Sequence, residues 1–414
     1  PPLKLNLPVA TLKPGRAYES LMEARVKYPN TPFIFPLKPQ WVILPHSMIP
    51  EIRGLPEEKL SFKQHTFEKF LGKYTGIGST ERPEAIQAIR IDLTRNIGKI
   101  IGDLQDEIQY SFGKEIGSRP EWKEMPVYTT VVNIVASLSA RAFVGLPLCR
   151  DEEWLYKTKT FTRDAIILMH TNSIIPMSLR PYLSRFNPAL WNLGTYRKFA
   201  GKKLLPQVEM ILNAYKEKLS GFKDMSEEEA LAIAEENNFN LVHWMIGHFK
   251  DPEKADPFEL GGQQMTAAFA AIHTTGMAGS HAIFDLAAYP SIAPVLREEI
   301  EAVIAEENFP DKKLRKTSMA KLKKLDSFMK ESMRFSPPFV VSLNRIVTAP
   351  QGLTLSDGTC LPSRTVVGFG QPFYPSSTVP EKHIIRDAQV PLTEFYPWRF
   401  AELRDIPGQE NGHQ

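Results

Sequence analysis

Apolar residues recur at helical spacing along most of the chain. Between residues 83 and 112 they fall at Ile86, Ile89, Leu93, Ile97, Ile100, Ile101, Leu104 and Ile108, which predicts a helix across that stretch. Residues 127–144 form a second, more apolar pattern with Gly145-Leu-Pro147 as its stop signal. Asp151-Glu-Glu opens a third helix, with acids in the first turn where the helix dipole favours them. A mixed-charge helix is predicted over residues 204–219 and an acidic one over 226–236, preceded by a loop around residues 174–183. Residues 291–307 are amphipathic, and the next helix runs through Glu331 and Arg334 to a stop at Pro337-Pro338. Strand signals are fewer. Residues 32–45 suggest two short β-runs around Lys38-Pro39, and residues 47–54 a short helical turn. Residues 353–362 suggest a hairpin turning at Asp357-Gly358, continued by a strand from Thr365. The pattern predicts a mainly α protein with small β-hairpins, and no repeat or low-complexity linker divides it.

One stretch departs from this pattern. Residues 258–289 contain no proline, about 32 residues and so roughly 48 Å if helical throughout. Small residues dominate it: Ala267, Ala268, Ala270, Ala271 and Ala278, with Gly276 and Gly279. His273-Thr274-Thr275 sits midway. Core helices usually fill their apolar face with larger side chains. Two readings are open: close helix–helix packing with threonine hydroxyls bonded to the preceding turn, or a wall for something large and flat.

Composition narrows the function classes. Hydrophobic residues make up 43% and charged residues 23% of the 414, as in ordinary globular proteins. Net charge is +3 and no basic block occurs, so nucleic-acid binding has no support. Two cysteines, Cys149 and Cys360, exclude a disulfide framework and suit a reducing compartment. No uninterrupted apolar run is long enough to span a membrane. The chain opens Pro1-Pro2 without methionine, and we expect it to be a piece of a longer protein.

The signatures of zincins, α/β-hydrolases, P-loop nucleotidases and zinc modules do not occur. Gly76-Ile-Gly78 lacks the third glycine and the preceding strand of a phosphate loop. His273 and His281 are eight residues apart, too far for one metal ion. Glu331 and Arg334, three apart, share a helix face and can pair. Arg399 is flanked by Phe395, Tyr396, Trp398 and Phe400, so it should be half-buried and in need of an acid.

Ala270-Ala271-Ile272-His273-Thr274-Thr275, then Glu331-x-x-Arg334, then Pro397-x-Arg399-Phe400, in that order, resemble the cytochrome P450 haem-thiolate monooxygenases. The likeness runs from about Pro2 to the last residue. Leu325-Asp-Ser-Phe-x-Lys-Glu-Ser, Leu355-Ser-Asp-Gly-Thr and Phe143-Val-Gly-x-x-x-Cys149-Arg150 are similar to fungal secondary-metabolism members, ent-kaurene-oxidase-like and gibberellin-pathway enzymes in particular. The resemblance implies one P450 domain over residues 1–414 and a haem cofactor. It also implies electrons from NADPH through NADPH–cytochrome P450 reductase, and an apolar, terpenoid substrate. Ala270 and Ala271 would line the haem, Thr274 would hold the water that carries protons, and Arg345 would meet a propionate, with Arg90 or Arg95 as second candidates. Phe269, Ile272 and Val340 would border the substrate. Glu331, Arg334 and Arg399 would form a buried structural triad. His273 stands where the family has an acid and Ala271 where it has glycine; the histidine is either a proton relay near neutral pH or a spectator.

The family's Phe-x-x-Gly-x-x-x-Cys-x-Gly loop, which ligates iron, is not in this sequence, and neither Cys149 nor Cys360 has that surrounding. The amino-terminal anchor that would place the parent on the cytoplasmic face of the endoplasmic reticulum membrane is also not in it. Two expectations remain: a partial sequence of an intact enzyme, or a truncated, inactive P450-like product that binds an apolar ligand without iron.

Overall fold

The structure is a computed structural model, and it describes residues 6–37, 39–78, 83–118, 121–175, 179–221, 240–371 and 390–406. The chain divides into two compact units. One comprises Pro1–Gly72, His281–Glu301 and Leu322–Gln414, the other Lys73–Ser280 and Ala302–Lys321.

The first unit is built on a five-stranded sheet. Its strands are β1 (Phe33–Phe35), β2 (Trp41–Leu44), β3 (Leu60–Ser61), β4 (Val341–Val347) and β7 (Val366–Gly370), in the order β1-β2-β7-β4-β3. A separate hairpin joins β5 (Leu353–Thr354) to β6 (Cys360–Leu361), with Gly358 at φ 84° in its turn, a conformation glycine adopts without a Cβ clash. Both expected β-regions are present. The strand β4 is an addition: the segment from Val341 onward pairs antiparallel with β7. β2 and β7 pair in parallel, Trp41 opposite Val366. Along β2 the alternation has its ordinary consequence. Val42 and Leu44 join a core with Leu60, Val347, Val367 and Phe369, while Ile43 points the other way. There it meets Phe33, Phe35 and the Leu21 and Ala24 side chains of α1 (Ala17–Lys27).

The second unit is helical: α2 (Thr94–Glu115), α3 (Val127–Phe143), α4 (Glu152–Ile174), α5 (Pro188–Gly221), α6 (Leu241–Gly247) and most of α7 (Pro257–Ala288). α8 (Ile292–Glu307) and α9 (Lys323–Phe335) follow α7 along the chain. The stretch expected as one helix over 83–112 is helical in three pieces, Pro83–Gln87, a π-helical segment Ala88–Leu93 and α2. The helix expected at 204–219 is the second half of α5, which runs on through Pro206. The loop expected over 174–183 contains a helical turn at Arg180–Leu183. The acidic helix expected at 226–236 lies outside the described residues.

Glycine lets α5 and α7 touch backbone to backbone. A Cβ on Gly201 would lie 2.7 Å from the Phe258 Cα, and one on Gly261 would lie 2.5 Å from the Gly201 nitrogen. Further along α7, a Cβ on Gly276 would meet Val132 of α3 at 2.7 Å.

Candidate active site

Glu331, Arg334 and Arg399 come together as expected from their order in the sequence. α9 sets Glu331 and Arg334 one turn apart, and Arg334 grips the carboxylate with Nε and Nη2, both at 2.7 Å. Arg399 Nε donates to both oxygens at 3.3 Å. Its remaining nitrogens go to the Val390, Pro391 and Glu394 carbonyls, and Arg334 reaches those of Leu392 and Glu394. The Tyr396 amide completes the carboxylate's shell at 2.8 Å. All three side chains are buried, with Glu331 at 0%. Such burial is tolerated because every charge is paired and every guanidinium nitrogen finds an acceptor. Ser327 ties the same segment down. Its hydroxyl donates to the Pro397 carbonyl at 2.7 Å and accepts from the Phe400 and Ala401 amides at 3.0 Å. Phe395 stacks on Tyr289, ring centroids 4.9 Å apart, with Phe328 and Phe335 against it edge-on.

The small-residue helix α7 divides its residues between two jobs. Ala267, Ala268 and Ile272 are buried, and Ala268 and Ile272 line a narrow gap with Ala136, Ala140, Phe143 and Trp154 of α3 and α4. Ala270 is exposed, and Ala271 and Thr274 partly so. Close packing therefore accounts for one face, and the other is left open. Thr274 Oγ1 donates to the Ala270 carbonyl at 2.7 Å, so the two residues share that open face. Ile272 does not join them. Two positions from Thr274, it is turned about 200° around the helix, onto the packed side, 1% exposed. Phe269 is half-buried.

His273 leaves Thr274 by about 100° and turns towards α3, where its Nδ1 lies 2.9 Å from the Tyr128 hydroxyl. Its Nε2 is buried and has no hydrogen-bond partner among the described residues. Burial holds the imidazole pKa below its ordinary value; the nearby Lys159 carbonyl opposes that, and the Lys159 ammonium adds to it.

In the first unit, Val340 is exposed just ahead of β4, and its carbonyl accepts from the Gln371 amide at 2.7 Å. Arg345 lies within β4 opposite Val367, bonded at 3.2 Å only to the Leu343 carbonyl. Among the described residues it has no acidic partner, so its guanidinium is available to an external anion. Leu343 takes φ 53° where the β4 register shifts. Arg90 and Arg95 are exposed on the helical run into α2.

Neither cysteine fits an iron ligand. Cys149 is fully buried against Glu107, and burial pushes its thiol up to about 11. Cys360 is an exposed residue of β6, its sulfur 3.5 Å from the Thr354 hydroxyl. No cluster of three His, Cys, Asp or Glu side chains among the described residues is arranged for a metal ion. The open Ala270–Thr274 face does fit one side of a flat apolar group.

Sequence reasoning missed a second polar joint. Asp285 near the end of α7 accepts from Ser332 at 2.5 Å and Ser336 at 3.3 Å, while His281 Nδ1 lies 2.6 Å from the Ser336 carbonyl. A lone carboxylate inside Ala282-Ile-Phe-Asp285-Leu-Ala-Ala was the available signal.

Comparison with known proteins agrees with this geometry. The cytochrome P450 family profile matches residues 103–369. Cytochrome P450 monooxygenase ascG of Acremonium egyptiacum is 39% identical over 99% of this chain and 77% of its own length. BOA7 of Botryotinia fuckeliana is 38% identical over 99% of this chain and 76% of its own. Cytochrome P450 monooxygenase 3 of Gibberella fujikuroi is 32% identical over 96% and 74%. The crystal structure of the cytochrome P450DA haem domain superposes with a TM-score of 0.66 over 98% of this chain and 83% of that one, at 12% identity, a likeness of fold. The chain belongs to the cytochrome P450 family. It is a monooxygenase of the haem-dependent kind, and its relatives are fungal.

Proposed function

We propose that the enzyme inserts one oxygen atom of O2 into an apolar, terpenoid secondary metabolite. In this reading electrons come from NADPH through NADPH–cytochrome P450 reductase, at the cytoplasmic face of the endoplasmic reticulum membrane. The observation that carries the reading is the open Ala270–Thr274 face on a helix whose opposite side is closely packed. Haem, when bound, supplies the binding and reductive activation of dioxygen. The alanines give it a flat apolar contact without side chains to displace. Arg345 offers a guanidinium to a propionate. The Thr274 hydroxyl can hold a water by its free lone pairs, and proton delivery is its task because each turnover consumes protons as well as electrons. His273 is the proton carrier beside it. Phe269, half-buried on α7, supplies apolar contact for substrate. No helix among the described residues is long and apolar enough to cross a membrane; in this reading membrane attachment comes from an amino-terminal anchor of the family's kind.

The test is product formation from a panel of terpenoids by haem-loaded protein that carries the family's cysteine loop, with reductase. NADPH-dependent hydroxylated product, together with the carbon-monoxide difference band of thiolate-ligated ferrous haem, is expected. Turnover confined to polar or aromatic substrates would sink the substrate reading.

A further inference from the structure

His273 and Thr274 are neighbours in sequence, but their side chains face different surroundings. The ring of His273 is turned to a polar group that no motif marks. Tyr128 stands in the first turn of α3, and its hydroxyl lies 2.9 Å from His273 Nδ1. It is 43% exposed, so this one contact links a half-buried imidazole on the central helix to solvent. On α4, Lys159 Nζ donates to Asn133 Oδ1 at 2.6 Å, and Asn133 Nδ2 donates to Glu115 Oε2 at 2.8 Å. A half-buried ammonium is thus held in place near the histidine without a carboxylate in direct contact. Among the described residues, Tyr128 on α3 and Lys159 on α4 act on the ring, and Lys114 and Glu115 at the end of α2 act on Lys159 in turn, with Lys114 bonded to Glu152 at 3.1 Å.

We propose that Tyr128 is the solvent-side entry for protons reaching His273, with Lys159, anchored through Asn133 to Glu115, as a positioning residue. This rests on the reading of His273 as proton carrier. Burial is the main influence lowering the imidazole pKa; the Lys159 carbonyl opposes it and the Lys159 ammonium adds to it. The Tyr128 hydroxyl donates to Nδ1, which leaves the proton on the buried Nε2. For transfer, Tyr128 gives its proton to Nδ1 and regains one from solvent, the imidazolium releases the Nε2 proton to a water that reaches it, and the ring, now protonated on Nδ1, returns to the Nε2 tautomer before the next transfer. One proton enters, one leaves, and no electrons move. Burial also limits Lys159: its amine pKa is lowered chiefly by desolvation, with Glu115 acting the other way and Lys114 reinforcing the drop.

The test is nitrogen-15 NMR of histidine-labelled protein, with His273→Gln to assign the signal. Wild-type protein should show one dominant His273 tautomer, titrating below the ordinary imidazole range. Tyr128→Phe removes only a hydroxyl at an exposed position. It should shift the Nδ1 resonance towards an unbonded nitrogen and lower the product formed per O2 consumed, with substrate affinity unchanged. Lys159→Met should raise the His273 pKa and move the matching limb of the pH–rate profile upward; Lys159→Gln serves if that variant folds poorly. An unchanged Nδ1 signal and unchanged coupling in Tyr128→Phe overturn the inference. If His273→Gln alters coupling while the Tyr128 and Lys159 variants alter nothing, this inference falls and the relay reading stands. If His273→Gln itself leaves coupling and pH profile intact, both fall.

Discussion

The Glu331–Arg334–Arg399 cluster and the His273–Thr274 turn hold similar groups and are finished in opposite ways. In the cluster one carboxylate receives two guanidinium groups and an amide, and every remaining guanidinium nitrogen described finds a backbone carbonyl. On the central helix a buried imidazole nitrogen has no described partner, and the threonine beside it faces an open surface. A closed polar group has nothing left to offer a ligand, and its role is to hold chain segments in register. An unfinished one is costly to keep, and such groups concentrate where chemistry needs them.

The comparison breaks most readily at Glu331. Glu331→Gln leaves two buried guanidinium groups without a counter-charge and should cost about 3–5 kcal/mol, read by chemical denaturation. A loss under about 1 kcal/mol, the range of surface pairs, would mean the cluster is decoration. Ser327→Ala should cost less, about 1–3 kcal/mol for stranded backbone groups, because two amides and a carbonyl lose one shared partner.

Asp285 sharpens the contrast, being a carboxylate served by hydroxyls alone. Its pKa is raised because burial outweighs the Ser332 and Ser336 hydrogen bonds. The folded state therefore holds this proton to higher pH than the unfolded chain does. The stability it contributes is fully present below the ordinary aspartate range and is lost as pH rises through the raised folded value. Asp285→Asn should flatten that decline when urea midpoints are compared from acid to neutral pH; identical slopes would show an ordinary aspartate. At the far end, Thr274→Ala should change stability by less than about 1 kcal/mol, since alanine is the better helix former. Its effect should appear as O2 consumed without product. Preserved coupling together with lost stability would make Thr274 a packing residue and erase the contrast.

Legibility in the sequence followed the range of the interactions. α7, α8 and α9 were readable because helical spacing and proline stops are local. The buried cluster was readable because Glu331 and Arg334 are three apart and Arg399 sits among aromatics, which marks it as half-buried and short of an acid; its near-complete burial goes further than that. The parallel pairing of Trp41 with Val366 has no local signal, since each strand makes sense only against the other. Ile272 was placed with the substrate because it lies between Ala271 and His273, whereas the helix carries it to the packed side. Tyr128 and Lys159 were invisible for a related reason: they reach His273 from two other helices.

The crossing of α5 and α7 at Gly201 and Gly261 has a mechanical consequence. Most helix pairs meet through side chains that can change rotamer, a cushion with some travel in it. Here the stop at Gly261 is main chain on main chain, with the Phe258 ring beside it at Gly201. Load applied to α7 at that point cannot be taken up by a rotating side chain; it passes directly into α5.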